Sequence, residues 1–250
     1  MSAREIAGRG TGEALWLRSS WIRQMARVDC GALLDGVHRL VVVAPHPDDE
    51  VLGCGGFMAQ ARSAGREVLV VSVSDGEACY PGDPFWTPGR LRETRRRELR
   101  AALAALGLRP VEVVLLGVPD GGVDRAAAFL ADRLAAHLRR DDLILVPWEK
   151  DGHPDHEACN RAVRSAAEAF GCRTLEYPVW GWHWASPSSS ELARVRAMRL
   201  ELPRSVCTSK RRAIACFTTQ TGECEPPIDM PVLPRRVRRR FERSFEVFFA

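Results

Sequence analysis

The sequence has no Cys-x-x-Cys pair; its eight cysteines, at positions 30, 54, 79, 159, 172, 207, 216 and 224, are irregularly spaced. That excludes the paired-thiol spacing of a structural zinc module. A disulfide framework belongs to small secreted chains rather than to a 250-residue chain with an α/β pattern. The cysteines are therefore expected to be reduced and mostly buried as small apolar residues. No apolar run approaches the roughly 20 residues of a membrane span. Near the start, Arg4, Arg9, Arg18, Arg23 and Arg27 interrupt any apolar stretch, so no secretory signal is expected and the cytoplasm is the expected setting. An excess of one charge is also missing: the formal net charge is only +4, with basic residues mostly interspersed among acidic ones. That balance does not point to a nucleic-acid partner. There is no internal repeat and no low-complexity tract.

What is present is enough chain for one large domain with a well-buried core. From residue 39 onward strand-like and helix-like segments alternate. Leu40–Ala44 is a short valine-rich run of the kind buried on both faces of a sheet. The pattern then predicts a helix over Val51–Ala64, a strand over Glu67–Val73, a helix over Arg90–Leu106 and a strand over Val111–Leu116. A helix over Ala126–Leu138, a strand over Leu143–Pro147, a helix over Asp155–Phe170 and a strand over Thr174–Val179 follow. This alternation implies an α/β, Rossmann-like, mostly parallel sheet with helices on both faces. Ligands in such sheets bind beyond the carboxyl ends of the strands, so the segments just after each strand are where chemistry is expected. Residues 188–224 suggest a helix, a strand near Arg196–Leu202 and a helix near Ser209–Phe217. The expected organisation is a helical N-terminal extension over 1–38, the main α/β domain over 39–225, and a basic tail over 226–250 packed on or near it. In the extension Trp16, Leu17, Trp21, Ile22 and Met25 recur at helical spacing. In the tail Arg235, Arg236, Arg238, Arg239 and Arg240 read as a solvated helix face, with a phosphate-binding patch as the alternative.

Two loops carry the chemistry. The first, Ala44-Pro45-His46-Pro47-Asp48-Asp49-Glu50, packs three carboxylates and a histidine against a strand end with no basic residue among them. Like charges this close raise one another's pKa values unless a cation is present, and a divalent metal is the simple solution. A helix N-cap needs one carboxylate, not three. The second, Asp151-Gly152-His153-Pro154-Asp155-His156, also follows a strand, and histidines spaced i, i+3 can approach one point where a helix begins. Three of the six histidines of the chain lie in these two loops. Histidine and carboxylate ligands with open positions describe a catalytic zinc site; iron(II) or another divalent metal suits the same set. Gly53, Gly55 and Gly56 are in the wrong order and place for dinucleotide binding, and they read instead as close packing of helix on sheet.

On these two motifs the chain resembles the PIG-L/LmbE family of zinc-dependent N-deacetylases. Arg95-x-x-Glu98-Leu99 and Leu116-Gly117-x-Pro119-Asp120-Gly121 add to the likeness, which covers roughly residues 39–223. The resemblance implies metal ligation by His46, Asp49 and His156, with Asp48 as general base. It implies His153 as oxyanion stabiliser or proton donor, with Asp155 orienting it, and Arg95 and Asp120 as contacts to substrate hydroxyls. Lys210 and Gln220 fit a weaker family pattern, but Phe217 stands where many members have histidine, so no role is carried to that segment.

The expected activity is hydrolysis of an N-acyl group, foremost N-acetyl, from an amino sugar or related small molecule. The alternatives are an amidase on a thiol conjugate or glycosylated natural product, and a non-catalytic metal- or sugar-binding relative. The expected partner is a small-molecule N-acylated sugar or glycoconjugate, with no nucleic acid and no membrane span, and a homo-oligomer remains open. Trp180, Trp182 and Trp184 alternate after the fifth strand, which in an extended chain puts all three on one side. Trp182 is accordingly a candidate substrate contact, set against packing in a core or interface.

Overall fold

The structure, a computed structural model, describes Ile6 and residues 8–250. One eight-stranded sheet organises the chain. Its strands are β1 (Ala26–Val28), β2 (Arg39–Ala44), β3 (Glu67–Ser74), β4 (Glu112–Val118), β5 (Asp142–Pro147), β6 (Arg173–Tyr177), β7 (Ala197–Glu201) and β8 (Phe245–Phe249). Three short helices, α1 (Glu13–Arg18), α2 (Ser20–Gln24) and α3 (Cys30–Leu33), precede β2. The covering helices are α4 (Asp49–Ser63), α5 (Pro88–Ala105), α6 (Ala127–Ala135) and α7 (Pro154–Phe170). Then come α8 (Gly181–Trp184), α9 (Arg204–Ile214), α10 (Thr218–Thr221) and α11 (Arg235–Arg238).

The strand order is β1-β7-β8-β6-β5-β2-β3-β4. β6, β5, β2, β3 and β4 run parallel, as do β1 and β7, while β8 is antiparallel to both β6 and β7. Alternation along each central strand feeds two cores. Leu40 and Val42 of β2, Val68 and Val70 of β3, and Leu143 and Leu145 of β5 face α4 and α5. Val41, Val43, Leu69, Val71, Ile144 and Val146 face α6 and α7. Burying each such side chain contributes roughly 1.5–3 kcal/mol, which is why these strands read as unbroken apolar runs. β2 is flanked by β3 on one side and β5 on the other, so the chain order reverses there. Loops leaving β2 and β5 therefore open side by side, at the switch point where α/β sheets bind ligands.

The single α/β domain with a mostly parallel sheet is as the sequence pattern implies, and the ends of the elements differ from expectation by a few residues. Four features depart from it. The N-terminal segment supplies strand β1 besides its helices, and Trp16, Ile22 and Met25 are buried against the rest of the chain while Leu17 is exposed. The helix expected first within 188–224 is only a 3-10 turn at Leu192–Arg194. The basic tail is a solvated helix face only in part: Arg235, Arg236 and Arg239 are exposed on or beside the four-residue α11, but Arg240 and, beyond the run, Arg243 are buried, and β8 is inserted between β6 and β7. Arg243 reaches back to Glu13 through two hydrogen bonds of 2.8 and 2.6 Å. All eight cysteines are free, as expected, but only Cys54, Cys159 and Cys207 are buried. Among the described residues no helix is long and apolar enough to cross a membrane.

Candidate metal centre

β2 ends at Ala44 and the chain turns through Pro45-His46-Pro47 into α4. Asp48, at the turn, has φ 150° and ψ −31°. A non-glycine residue there costs roughly 1–3 kcal/mol, and such strain gathers at functional sites. The turn splits the two aspartates. Asp49 points back, its Oδ2 accepting the His46 backbone N–H at 3.0 Å. Asp48 points to Arg95, Oδ2 to Nη2 3.3 Å. Glu50 Oε2 accepts the Asp48 N–H at 3.1 Å and closes the turn from behind.

The loop after β5 brings His156 in from the first turn of α7. His156 Nε2 lies 3.3 Å from His46 Nδ1 and 3.2 Å from Asp49 Oδ2, and His46 Nδ1 is 3.2 Å from that same oxygen. The three atoms form a near-equilateral triangle. The far side of each ring fixes its tautomer. His156 Nδ1 is 2.8 Å from Asp151 Oδ2, a carboxylate that can only accept. His46 Nε2 faces Asp120 Oδ1 at 3.2 Å and Asp155 Oδ2 at 3.4 Å. Protons held on those outer nitrogens leave the two inner lone pairs and a carboxylate oxygen converging on one point. Such a donor set can hold a cation between its members. Tetrahedral zinc, with bonds of about 2.0–2.1 Å to nitrogen, would set its ligands about 3.3–3.4 Å apart, so these residues fit such an ion. A second grouping, His46, His153 and Asp155, also lies close enough to hold an ion and shares His46.

Charge follows from this packing. Burial opposes the Asp49 charge, yet His156 and His46 outweigh it and hold the carboxyl well below the usual carboxylate range. Burial likewise opposes charge on His156, but Asp49 and Asp151 lift it to about 9. Asp48 is pushed up to about 7 by burial first, against the pull of Arg95 and with Asp49 adding to the rise. His153 goes the other way, lowered to about 3 by burial and then by the neighbouring His156 and His46. Its Nδ1 accepts the Asp155 backbone N–H at 3.2 Å, so the neutral ring carries its proton on Nε2.

A cavity of about 280 Å³ opens over the triangle. Its lining includes the polar residues His46, Asp48, Asp49, Arg95, Asp120 and His153 and the apolar residues Leu52, Val179, Val232 and Leu233. Arg95 is not a surface arginine of a basic run. It is 2 % exposed and clamps two strand-end loops, donating to Gly76 O at 2.7 Å and Pro47 O at 2.9 Å. Asp120 is tied down by the Ala78 N–H at 2.9 Å. The Asp155 carboxylate accepts from Gly121 N at 2.7 Å and Val123 N at 3.2 Å and faces His46; what it gives His153 is its backbone N–H. The three tryptophans do not share a face, because residues 181–184 form a helical turn rather than an extended strand. Only Trp180 lines the cavity. Trp182 is buried edge-on against Trp16, with the Arg243 guanidinium 4.0 Å from its ring centre.

The role of Asp151 had no separate signal in the sequence. Fully buried, it accepts the backbone N–H groups of Val179, Trp180 and Gly181 at 2.8–2.9 Å besides holding His156. Gln220, Val232 and Leu233 also reach the cavity from beyond the two motifs.

Comparison with known proteins agrees with this architecture. The PIG-L family, described as GlcNAc-PI de-N-acetylase, matches residues 41–167, just over half of the 250. The chain belongs to the PIG-L family. It is 34% identical over 192 residues to a 1D-myo-inositol 2-acetamido-2-deoxy-alpha-D-glucopyranoside deacetylase of Streptomyces avermitilis, covering 66% of this chain and 62% of that one. The chain thus spans somewhat less than two thirds of that relative's length. Among solved structures, the conserved protein TT1542 from Thermus thermophilus superposes with a TM-score of 0.55 at 28% identity, over 75% of this chain and 81% of its own. The zinc inhibited form of teicoplanin deacetylase Orf2 shares the fold with a TM-score of 0.66 at 20% identity, over 84% and 97% of the two chains. The PIG-L match ends inside α7, so α8 to α11 and β6 to β8 lie outside it.

Proposed function

We propose that this PIG-L chain is a zinc-dependent N-deacetylase that hydrolyses the acetamide of an amino sugar carried on a small molecule. The observation that carries the proposal is the triangle of His46 Nδ1, His156 Nε2 and Asp49 Oδ2, with both outer ring nitrogens held by carboxylates. His46, Asp49 and His156 would hold the ion. When bound, it supplies a Lewis acid that polarises the acyl carbonyl and acidifies water. Everything else belongs to the chain. Asp48, held by Arg95 at the edge of the triangle, takes the proton of the attacking water as the new C–O bond forms. His153 donates its Nε2–H to the developing oxyanion, with its tautomer fixed by the Asp155 N–H. The C–N bond then breaks, and the proton held by Asp48 passes to the leaving amine. Asp120 and Arg95 line the cavity where sugar hydroxyls would sit. Trp182 packs on Trp16 and Arg243 and does not line the cavity, so its contribution is packing.

The substrate class is supported by the acetamido sugar named for the Streptomyces relative and by a cavity lined by both polar and apolar side chains. The unpaired state of all eight cysteines supports a reducing compartment such as the cytoplasm. The direct test is release of free amine and acetate from a panel of N-acetylated sugars and their inositol and aryl conjugates by zinc-loaded protein. Turnover of any of them, lost in Asp48→Asn, is the expected result. A fully loaded protein that hydrolyses none would overturn the enzymatic reading.

A further inference from the structure

The first turn of α4 runs from Asp49 to Leu52, a cavity residue. Directly behind that turn, on the side away from the cavity, lies a buried ion pair: Lys210 of α9 and Glu246 of β8, Nζ to Oε1 2.5 Å. The pair does more than neutralise itself. Glu246 Oε1 accepts the backbone N–H of Gly56 at 2.6 Å and Oε2 that of Phe57 at 2.8 Å. Lys210 Nζ donates to the backbone carbonyl of Leu52 at 2.8 Å. In an ordinary helix the residue-52 carbonyl and the residue-56 N–H are partners across one turn. Here an ammonium engages the one and a carboxylate the other, in the middle of a 15-residue helix.

The signs match the helix. The carboxylate sits where the second half, from Gly56 on, would present the positive end of its dipole, and the ammonium where the first half would present its negative end. Gly56 makes the approach of Glu246 possible. A Cβ on Gly56 would meet Leu202 at 2.5 Å and Glu246 Oε1 at 3.0 Å, and one on Gly53 would meet the Tyr177 ring at 2.2 Å. Gly56 is thus the bare point at which Glu246 reaches the backbone, while Gly53 makes room for the Tyr177 ring.

We propose that Lys210 and Glu246 are positioning residues that seat the Asp48–Leu52 turn, so that the geometry of the metal triangle and the cavity wall is set from the C-terminal strand. This rests on the metal reading above. It assigns a function to a tail that lies outside the family match, and to Lys210. A pair serving stability alone would behave like Arg39 and Asp142, another buried ion pair, which sits at the opposite, amino ends of β2 and β5.

Glu246→Gln removes the charge at nearly constant shape, and Lys210→Met removes the other partner; Asp142→Asn serves as the control. Zinc affinity is read by competition with a chromophoric chelator, and hydrogen exchange is followed in peptides spanning residues 46–55. Both test variants should bind zinc about 10–100-fold more weakly, the range for losing a group that orients a ligand. Their 46–55 amides should exchange faster than those of Asp142→Asn at matched global stability. Should Lys210→Met fail to fold, Glu246→Gln decides alone. Wild-type zinc affinity and control-like exchange in the test variants would overturn the inference. If the wild type binds no zinc, the metal reading fails, and the exchange comparison still decides whether the pair seats the turn.

Discussion

The two strands at the centre of the sheet, β2 and β5, present opposite arrangements of charge at their two ends. At the amino ends, Arg39 and Asp142 are buried and matched. Arg39 Nε and Nη2 donate to the two carboxylate oxygens at 2.9 and 2.7 Å, Nη2 also reaches His137 O, and the Arg139 N–H takes up Asp142 Oδ2 at 2.7 Å. At the carboxyl ends, Asp48, Asp49, Asp120, Asp151 and Asp155 crowd round two histidines, and Arg95 is the arginine paired with Asp48. Both ends carry buried charge, but only one is balanced within the protein. A balanced pair fixes strand ends; a surplus of converging acceptors stores affinity for a cation. Burial of charge alone therefore does not mark a site, whereas its imbalance does.

The sharpest way to break the comparison is to remove a member of the triangle. His46→Ala, Asp49→Ala and His156→Ala should each lose the metal and all measurable turnover while keeping the fold; full metal content by elemental analysis in all three would contradict the ligand set. Next in size is Asp48→Asn, which keeps shape and removes basicity. Metal content should stay near wild type and kcat should fall about 10²–10⁴-fold; activity within about twofold of wild type would exclude Asp48 as the base.

At the balanced end, Asp142→Ala strands the Arg39 charge in the core. Loss of about 3–5 kcal/mol is expected, read by denaturant unfolding, with metal stoichiometry unchanged. A drop in metal content would erase the distinction between the two ends. The smallest expected effect is at Asp151. Asp151→Asn leaves the fold in place but weakens the acceptor that holds His156 Nδ1, so metal affinity should fall about 10–100-fold. Wild-type affinity by chelator competition would reduce Asp151 to a loop anchor for Val179–Gly181.

Much of the site was legible because it is local in sequence. His46, Asp48 and Asp49 lie within four positions, His153, Asp155 and His156 within four more, and each set follows a strand that alternation alone identifies. The exchange of roles between neighbours was harder to read. Asp155 fixes His153 through its backbone N–H rather than its carboxylate, a matter of which atoms a helix start exposes. Trp182 was drawn toward substrate by a period-2 spacing that assumed an extended chain; a four-residue helical turn rotates it into the core. The tail was legible only in part: of five arginines in six positions, Arg235, Arg236 and Arg239 are exposed as a solvated face requires, whereas Arg240 is buried. Arg240 Nη1 lies 3.0 Å from His183 Nδ1, and Nη2 reaches the carbonyls of Arg9 and Thr11, so partners more than 50 residues away decided the burial of that one arginine.

The sequence by itself determined the alternation of β and α, the two acidic-histidine loops and their position after strands, because side-chain periodicity and turn chemistry act over a few residues. Tertiary structure alone decided that β2 and β5 are neighbours, that a C-terminal strand enters the sheet between β6 and β7, and that Glu246 meets Lys210 against the bare backbone of α4. Those contacts join residues tens to hundreds of positions apart. No local pattern encodes them; they follow from which faces remain to be buried once the sheet has closed its order.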